Sequence, residues 1–506
     1  MDNGPRAELT RGKDFRMVEL RTVNGQEKLF VDGAPYLILA VQMNCDSCYS
    51  ADTLEVLFQN AAKMGCNTVS VPFYWRRFEP EEGRYDTDFL ESVLSRARKY
   101  ALRVVLAWFG SYKNGALHYA PDWVLADTER FARVRRGDGT MAQFAACPNG
   151  AALLEKDSAA VCRIFAHLRD HDPEDTVILF QVNNETGILC RSARCHCDAC
   201  ETRFAAGAYE NRYGNRADEI FAAESILAFQ ERIAKAAKAI KLIPCYLNAW
   251  LALPDADSKP GFTYPSGGPS EHVLERYLQL KECIDFVSPD IYTTGYRDFD
   301  RYCRMYRRAG NALFVAELGV GSHSRSEKNI YYAFGEHGAI GVDLWAIDSA
   351  FPDVLETPMC DFTNGRWNEE AYAVQASYLP LRDAMRPVAE ALGTERLQYW
   401  VQEEGERTKT LDFSDVCIRI DYCNSGYGES RGIAVRLSEK SFLLLGVKSK
   451  ATFFTPDGEP IAIHDSERGA YRGETFEPER RNTICWLEFP YRVLLKEPSV
   501  TRTVLA

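Results

Sequence analysis

The chain is 506 residues long, 46% hydrophobic and 26% charged, with a formal net charge of −12. That balance belongs to an ordinary folded soluble protein and excludes a disordered chain, a fibrous repeat and a polytopic membrane protein. The acidic excess leaves no basic field for a polyanion, so nucleic acid and anionic membrane surfaces are excluded as expected partners. Residues 1–15 lack an apolar export core, and the longest apolar runs, such as 104–109, fall far short of the ~20 residues a membrane helix needs. The 16 Cys are scattered, mostly inside apolar runs where Cys acts as a small hydrophobe, so a reducing, cytoplasmic setting is expected. Aromatics reach 12%, which suits a core and also a site that stacks on flat apolar faces such as sugars.

Residues 17–35 read as a leading hairpin, with turn signals at Asn24-Gly25 and Asp32-Gly33. Eight short apolar runs follow, at 36–44, 67–75, 103–110, 176–185, 243–250, 285–292, 313–319 and 339–348. Helical stretches separate them; in 52–65 and 87–100 the apolar residues fall on one face. Continuous apolar strands alternating with amphipathic helices predict parallel strands buried on both faces, and eight such units predict a closed (β/α)8 TIM barrel. No glycine-rich phosphate loop follows any of these runs, which counts against a dinucleotide fold. Long connections follow the third and fourth runs, at the barrel end where active-site walls are built. After about Pro387 the runs become short and alternating, at 416–422, 432–437, 441–447, 451–454 and 483–489. They predict an antiparallel β-sandwich domain over 388–506, behind a barrel domain over 1–387.

Acidic and amide residues end two of the strands. The fourth run closes on Asn183, Asn184 and Glu185, and the seventh on Glu317. A carboxylate that terminates a buried strand is half desolvated, and two facing each other across a barrel mouth are what glycoside hydrolysis requires.

The same residues resemble clan A glycoside hydrolases, and most closely the β-galactosidases of families 35 and 42. Residues 78–86, FEPEEGRYD, are similar to the EP..G.YD signature of that group, and 108–123 and the segment from Gly432 to Tyr471 resemble a bacterial branch of family 35. The resemblance implies a retaining, exo-acting β-galactosidase acting on small oligosaccharides, with Glu185 as general acid/base and Glu317 as nucleophile. It further implies that Asn184 binds the sugar 2-hydroxyl, that Tyr292 orients Glu317 and that Trp345 lies beneath the sugar ring. Trp108 and Asn114 are expected to line the pocket from the third strand, and Asn44 from the first. Trp108, Tyr292 and Trp345 are also the kind of residue a core holds. A β-mannosidase, β-glucosidase or galactanase keeps the same chemistry with another sugar, and a catalytically silent carbohydrate-binding barrel keeps only the pocket. A homo-oligomer, dimer or trimer, is implied by resemblance alone.

Cys195, Cys197 and Cys200 follow the fourth strand as C-x-C-x-x-C, and Cys147 sits in the long loop before it. Four thiolates satisfy a tetrahedral structural zinc and leave no position for water. Family 42 enzymes carry a similar Cys-Pro-Asn element and C-x-C-x-x-C cluster, which implies these four as ligands of a non-catalytic zinc. Cys190 competes for the fourth place, His196 is expected to point away, and disulfides are the alternative.

Overall fold

The computed structural model describes residues 18–45, 51–252, 257–293, 295–319, 325–346, 360–361, 366–367, 369–423, 428–482 and 492–506. Eight parallel strands close on themselves: Ile38–Gln42, Thr68–Tyr74, Arg103–Phe109, Val177–Gln181, Cys245–Trp250, Phe286–Ile291, Phe314–Leu318 and Gly341–Leu344. They are called the first to eighth barrel strands below. Closure is made where Gly341 of the eighth pairs with Ile38 of the first. Each expected run holds one of these strands. The expected helices at 52–65 and 87–100 form as Ala51–Met64 and Asp88–Lys99, the latter burying Phe89, Leu90, Val93, Leu94 and Ala97.

Alternation along the strands divides the hydrophobic residues into two sets. Tyr246, Phe286 and Phe314 point inward and fill the barrel, with Tyr246 and Phe286 stacked at 5.2 Å and Phe314 edge-on to Tyr246 at 5.5 Å. Their neighbours Leu247, Val287 and Val315 point outward to the helices. The barrel interior is therefore a packed core rather than a pore. The leading hairpin pairs Val18–Val23 with Gln26–Val31, and Asn24 and Gly25 take the positive φ that a two-residue primed turn requires.

Beyond the barrel, ten described strands make two antiparallel sheets. The larger runs in the order Leu397–Val401, Arg431–Arg436, Ser441–Val447, Ser499–Leu505, Ile463–Arg472, Thr475–Arg481. The smaller comprises Thr408–Asp412, Cys417–Tyr422, Ser449–Phe454 and Arg492–Leu495. Ala434, Phe442 and Leu444 of the first meet Ile418, Ile420 and Phe453 of the second in a shared core, as a sandwich demands. The alternate residues Ile433, Val435, Leu443 and Leu445 face the other way and join the barrel's outer core. The central strands Arg431–Arg436 and Ser441–Val447 are thus buried on both faces, whereas the edge strand Thr475–Arg481 is largely exposed. Residue 387 lies within the helix Met385–Ala391, and the first sandwich strand begins at Leu397. The expected strand at 483–489 lies outside the described residues. Leu397–Val401, Thr408–Asp412, Ile463–Arg472, Thr475–Arg481, Arg492–Leu495 and Ser499–Leu505 are strands the sequence does not announce.

Candidate active site

The C-terminal ends of the barrel strands surround a cavity of about 600 Å³. Glu185, Asp290 and Glu317 all line it, and one carboxylate oxygen of each lies within 4.8 Å of those of the other two. All three are almost wholly buried.

Each carboxylate is aimed by its backbone. On the seventh strand Phe314 and Ala316 point inward, so simple alternation would turn Glu317 outward. The register with the eighth strand shifts between Val315 and Leu318, and this irregularity brings Glu317 to the inner side. Glu185 stands in the left-handed region at φ 43°, as Asn183 does at φ 63°. A non-glycine residue held there costs on the order of 1–3 kcal/mol and must be fixed by its surroundings. Here the fixing is visible: Glu185 N donates to Asn248 Oδ1 at 2.8 Å, and its carbonyl accepts from Gly115 N at 3.1 Å. Asn114 N donates in turn to Asn184 O, and Asn184 N to Tyr112 O, so the loop after the third strand is laced along the end of the fourth.

The electrostatics separate the carboxyl groups. Burial pushes the Glu185 pKa up to about 8, with the Glu317 charge adding to the shift and Lys113 opposing it. Burial, Glu317 and Glu185 together hold the Asp290 carboxyl well above the usual carboxylate range. Glu317 is surrounded by donors to its charged form: Tyr292 Oη at 2.5 Å, Asn184 Nδ2 at 3.1 Å and Asn248 Nδ2 at 3.5 Å. Burial and these carboxylates raise the Tyr292 pKa, so the hydroxyl stays a donor. Its ring is half open to the cavity and meets Trp345 edge-on at 6.0 Å. A carboxyl group with a raised pKa beside a carboxylate met by three donors is the arrangement that acid and nucleophile chemistry requires.

Of the residues expected at the site, Glu185, Glu317, Asn114, Tyr292 and Trp345 line the cavity, and Asn184 lies against Glu317. Trp108 is elsewhere. It is fully buried, donates from Nε1 to Asp157 Oδ1 at 2.7 Å and packs against Phe73, Trp75 and Phe78. Asn44 is buried and is not among the lining residues. The FEPEEGRYD segment also serves the scaffold: Glu79 accepts from Trp75 Nε1 and Gly83 N, both at 2.8 Å. The sequence reading missed Asp290, Asn248, Trp250 and Lys113. A signal for the first three was present, since Asn248 and Trp250, like Asp290 and Tyr292, are spaced by two and share the inward face of their strand.

A second cluster stands on the long loops. One Sγ atom each of Cys147, Cys195, Cys197 and Cys200 lies within 4.8 Å of the others. Cys147 Sγ is 3.6 Å from Cys200 Sγ and 3.9 Å from Cys197 Sγ, too far for an S–S bond. A tetrahedron with Zn–S bonds of ~2.3 Å sets its sulfurs about 3.8 Å apart, so the four fit such an ion. Arg135 N and Asn149 Nδ2 donate to Cys195 and Cys200 sulfurs, as they would to thiolates. Cys190 is not in the group, and His196 turns its Nδ1 to Glu201 at 2.8 Å.

Residues 48–223 match a family model described as beta-galactosidase, that of glycoside hydrolase family 42. Residues 374–483 match a second, described as a domain of unknown function, DUF5597. Beta-galactosidase GanA of Bacillus subtilis (strain 168) is 27% identical over 140 residues, which is 27% of this chain and 19% of GanA. The β-galactosidase of Marinomonas ef1 superposes with a TM-score of 0.53 at 14% identity, covering 71% of this chain and 61% of that one. That of Bacillus circulans sp. alkalophilus gives 0.52 at 15%, covering 69% and 56%. The chain thus spans less than two thirds of these relatives' length, and at such identities the likeness to the solved structures is one of fold. In its motifs, its family match and its barrel, the chain resembles the family 42 β-galactosidases of glycoside hydrolase clan A.

Proposed function

We propose that this protein is a retaining, exo-acting β-galactosidase that removes terminal galactose from small β-galactosides by double displacement. The observation that carries the reading is the approach of Glu185 and Glu317, with carboxylate oxygens within 4.8 Å. Retaining enzymes hold their two carboxyl groups about 5–5.5 Å apart, whereas inverting enzymes need ~6.5–9.5 Å to admit a water. In the first step Glu317 attacks the anomeric carbon while Glu185 gives its proton to the departing oxygen. In the second, Glu185 takes a proton from water as the water displaces Glu317. Tyr292 orients Glu317, Asn184 is placed to meet the 2-hydroxyl beside it, and Trp345 offers a flat face to the sugar.

The four-cysteine cluster belongs to the same proposal as a structural zinc site. Cys147, Cys195, Cys197 and Cys200 would hold the ion, which supplies cohesion to the loops flanking Glu185 and has no open position for chemistry. Cytoplasmic residence, a homo-oligomeric state and the division into a catalytic unit, 1–387, and an ancillary sandwich, 388–506, complete the proposal. Among the described residues no helix is long and apolar enough to cross a membrane. A panel of nitrophenyl β-galactoside, β-glucoside and β-mannoside tests the sugar, and NMR of the first-formed product tests the stereochemistry. Preferred cleavage of the galactoside with the β-anomer formed first is the expected result. Another preferred sugar replaces the galactosidase reading, an α-anomer overturns the roles of the two Glu, and no cleavage leaves a binding barrel.

A further inference from the structure

Asp290 has no part in the two-carboxylate scheme, yet it is built into its centre. It is 3% exposed, and on the parallel sixth and seventh strands its backbone is the register partner of Glu317. Asn248 Nδ2 donates to its Oδ2 at 2.7 Å, while the Asn248 Oδ1 holds Glu185 N. Among the described residues Oδ1 of Asp290 has no hydrogen-bond partner. One carboxylate oxygen of Asp290 lies within 4.8 Å of a carboxylate oxygen of Glu185 and of one of Glu317.

An acceptor buried against acceptors is costly unless a proton lies between them. Because Asn248 donates to Oδ2, that oxygen is the carbonyl side of the group, and Oδ1 is the place for the proton. The charged and titratable groups around it are Glu185, Glu317, Lys113 and the hydroxyls of Tyr246, Tyr292 and Tyr306. Lys113 is the one cation among them.

We propose that Asp290 is a positioning residue whose Oδ1–H donates to whichever of Glu185 and Glu317 carries the negative charge. The inference rests on the glycosidase reading above. In the resting enzyme Glu317 is the anion and Glu185 holds its proton. When Glu317 bonds to the anomeric carbon its charge is consumed, and Glu185, having passed its proton to the leaving oxygen, becomes the anion. Water then bonds to the anomeric carbon, its proton goes to Glu185, and Glu317 departs with the bonding pair. The three carboxyl groups therefore keep one negative charge throughout, and it changes place twice per turnover. A neutral acid within reach of both positions lowers the cost of each state by a charge-assisted hydrogen bond without itself gaining or losing a proton.

The test compares Asp290→Asn and Asp290→Ala with the nitrophenyl glycoside that the wild type cleaves best. Asp290→Asn keeps a neutral donor, so activity within about tenfold of wild type and an unmoved alkaline limb are expected. Asp290→Ala loses the donor; kcat should fall about 10- to 100-fold, more than kcat/KM for a dinitrophenyl substrate, because the second step then lacks support for the Glu185 anion. Equal losses in both variants with the alkaline limb moved down by a unit or more overturn the proposal, since Asp290 then acts as a charge. Wild-type kinetics in both variants overturn it as well. Infrared difference spectra provide a readout independent of turnover: a protonated-carboxyl band present in wild type at pH 7 and lost in Asp290→Asn is expected, and its absence refutes the proton on Asp290. If wild type cleaves no glycoside, the glycosidase reading fails, and the infrared comparison still decides the proton.

Discussion

Asn184 Nδ2 donates to Glu317 Oε1 at 3.1 Å, tying the end of the fourth barrel strand to that of the seventh. The residue that precedes Glu185 in sequence thus touches the opposite carboxylate. A displacement of either strand end is felt at both Glu residues, which is why the backbone around Glu185 is so heavily bonded.

The two carboxylates should separate kinetically. Glu317→Gln is expected to lose about 10⁴-fold or more on every substrate. Glu185→Gln should lose about 10²- to 10⁴-fold on substrates with poor leaving groups and far less on dinitrophenyl glycosides, which need no proton. Equal losses on both substrate types for Glu185→Gln contradict its role as acid.

The raised pKa of Glu185 has a kinetic and a thermodynamic consequence. Activity needs its proton, so kcat/KM should decline as pH rises through about 8. A folded pKa of about 8 against an ordinary value of 4.5 means that the folded chain binds more protons in that window, so stability falls as pH rises across it. Glu185→Gln removes this burden. Its melting temperature should exceed that of wild type by a margin that grows from pH 5 to pH 9, and a constant margin would refute the shift.

Tyr292→Phe deletes a hydroxyl bonded to a buried carboxylate. Such a bond is worth about 1.5–3 kcal/mol, so a loss of about 10- to 100-fold in kcat is expected with little change in melting temperature. Trp345→Ala, in contrast, should raise KM and lower kcat together, because the sugar loses its platform. Unchanged kinetics would make either residue mere wall.

Trp108→Phe tests the placement of that ring outside the cavity. Asp157 accepts from Trp108 Nε1 and also holds Ser111 N at 3.0 Å. Removing the indole donor should cost about 1–3 kcal/mol of stability and leave KM unaltered. A KM effect without loss of stability would return Trp108 to the substrate.

Zinc analysis of the purified protein should give about one ion per chain. Cys197→Ser should lower the melting temperature by several degrees, with activity lost only as the loops beside Glu185 loosen. A zinc content near zero with freely titrating thiols would leave the cluster as reduced cysteines.

The eightfold alternation of apolar runs and amphipathic helices was sufficient to specify the barrel, because burial on both faces leaves parallel strands little other choice. The turn residues of the leading hairpin and the four spaced cysteines were equally legible, since local backbone and ligand chemistry demand those residue types. Glu185 and Glu317 could be recognised as polar ends of apolar strands. The orientation of each could not: a register irregularity turns Glu317 inward, and a left-handed backbone held by Asn248 and Gly115 aims Glu185. Trp108 looked like a pocket residue from its position near a strand end, yet packing turned it to Asp157. Asp290 and Asn248 stand inside apolar strands, where isolated polar residues carry little signal by themselves. Their meaning depends on tertiary structure: pairing of the fifth, sixth and seventh strands sets Asn248, Asp290 and Glu317 side by side, and closure of the barrel brings Glu185 of the fourth across to them.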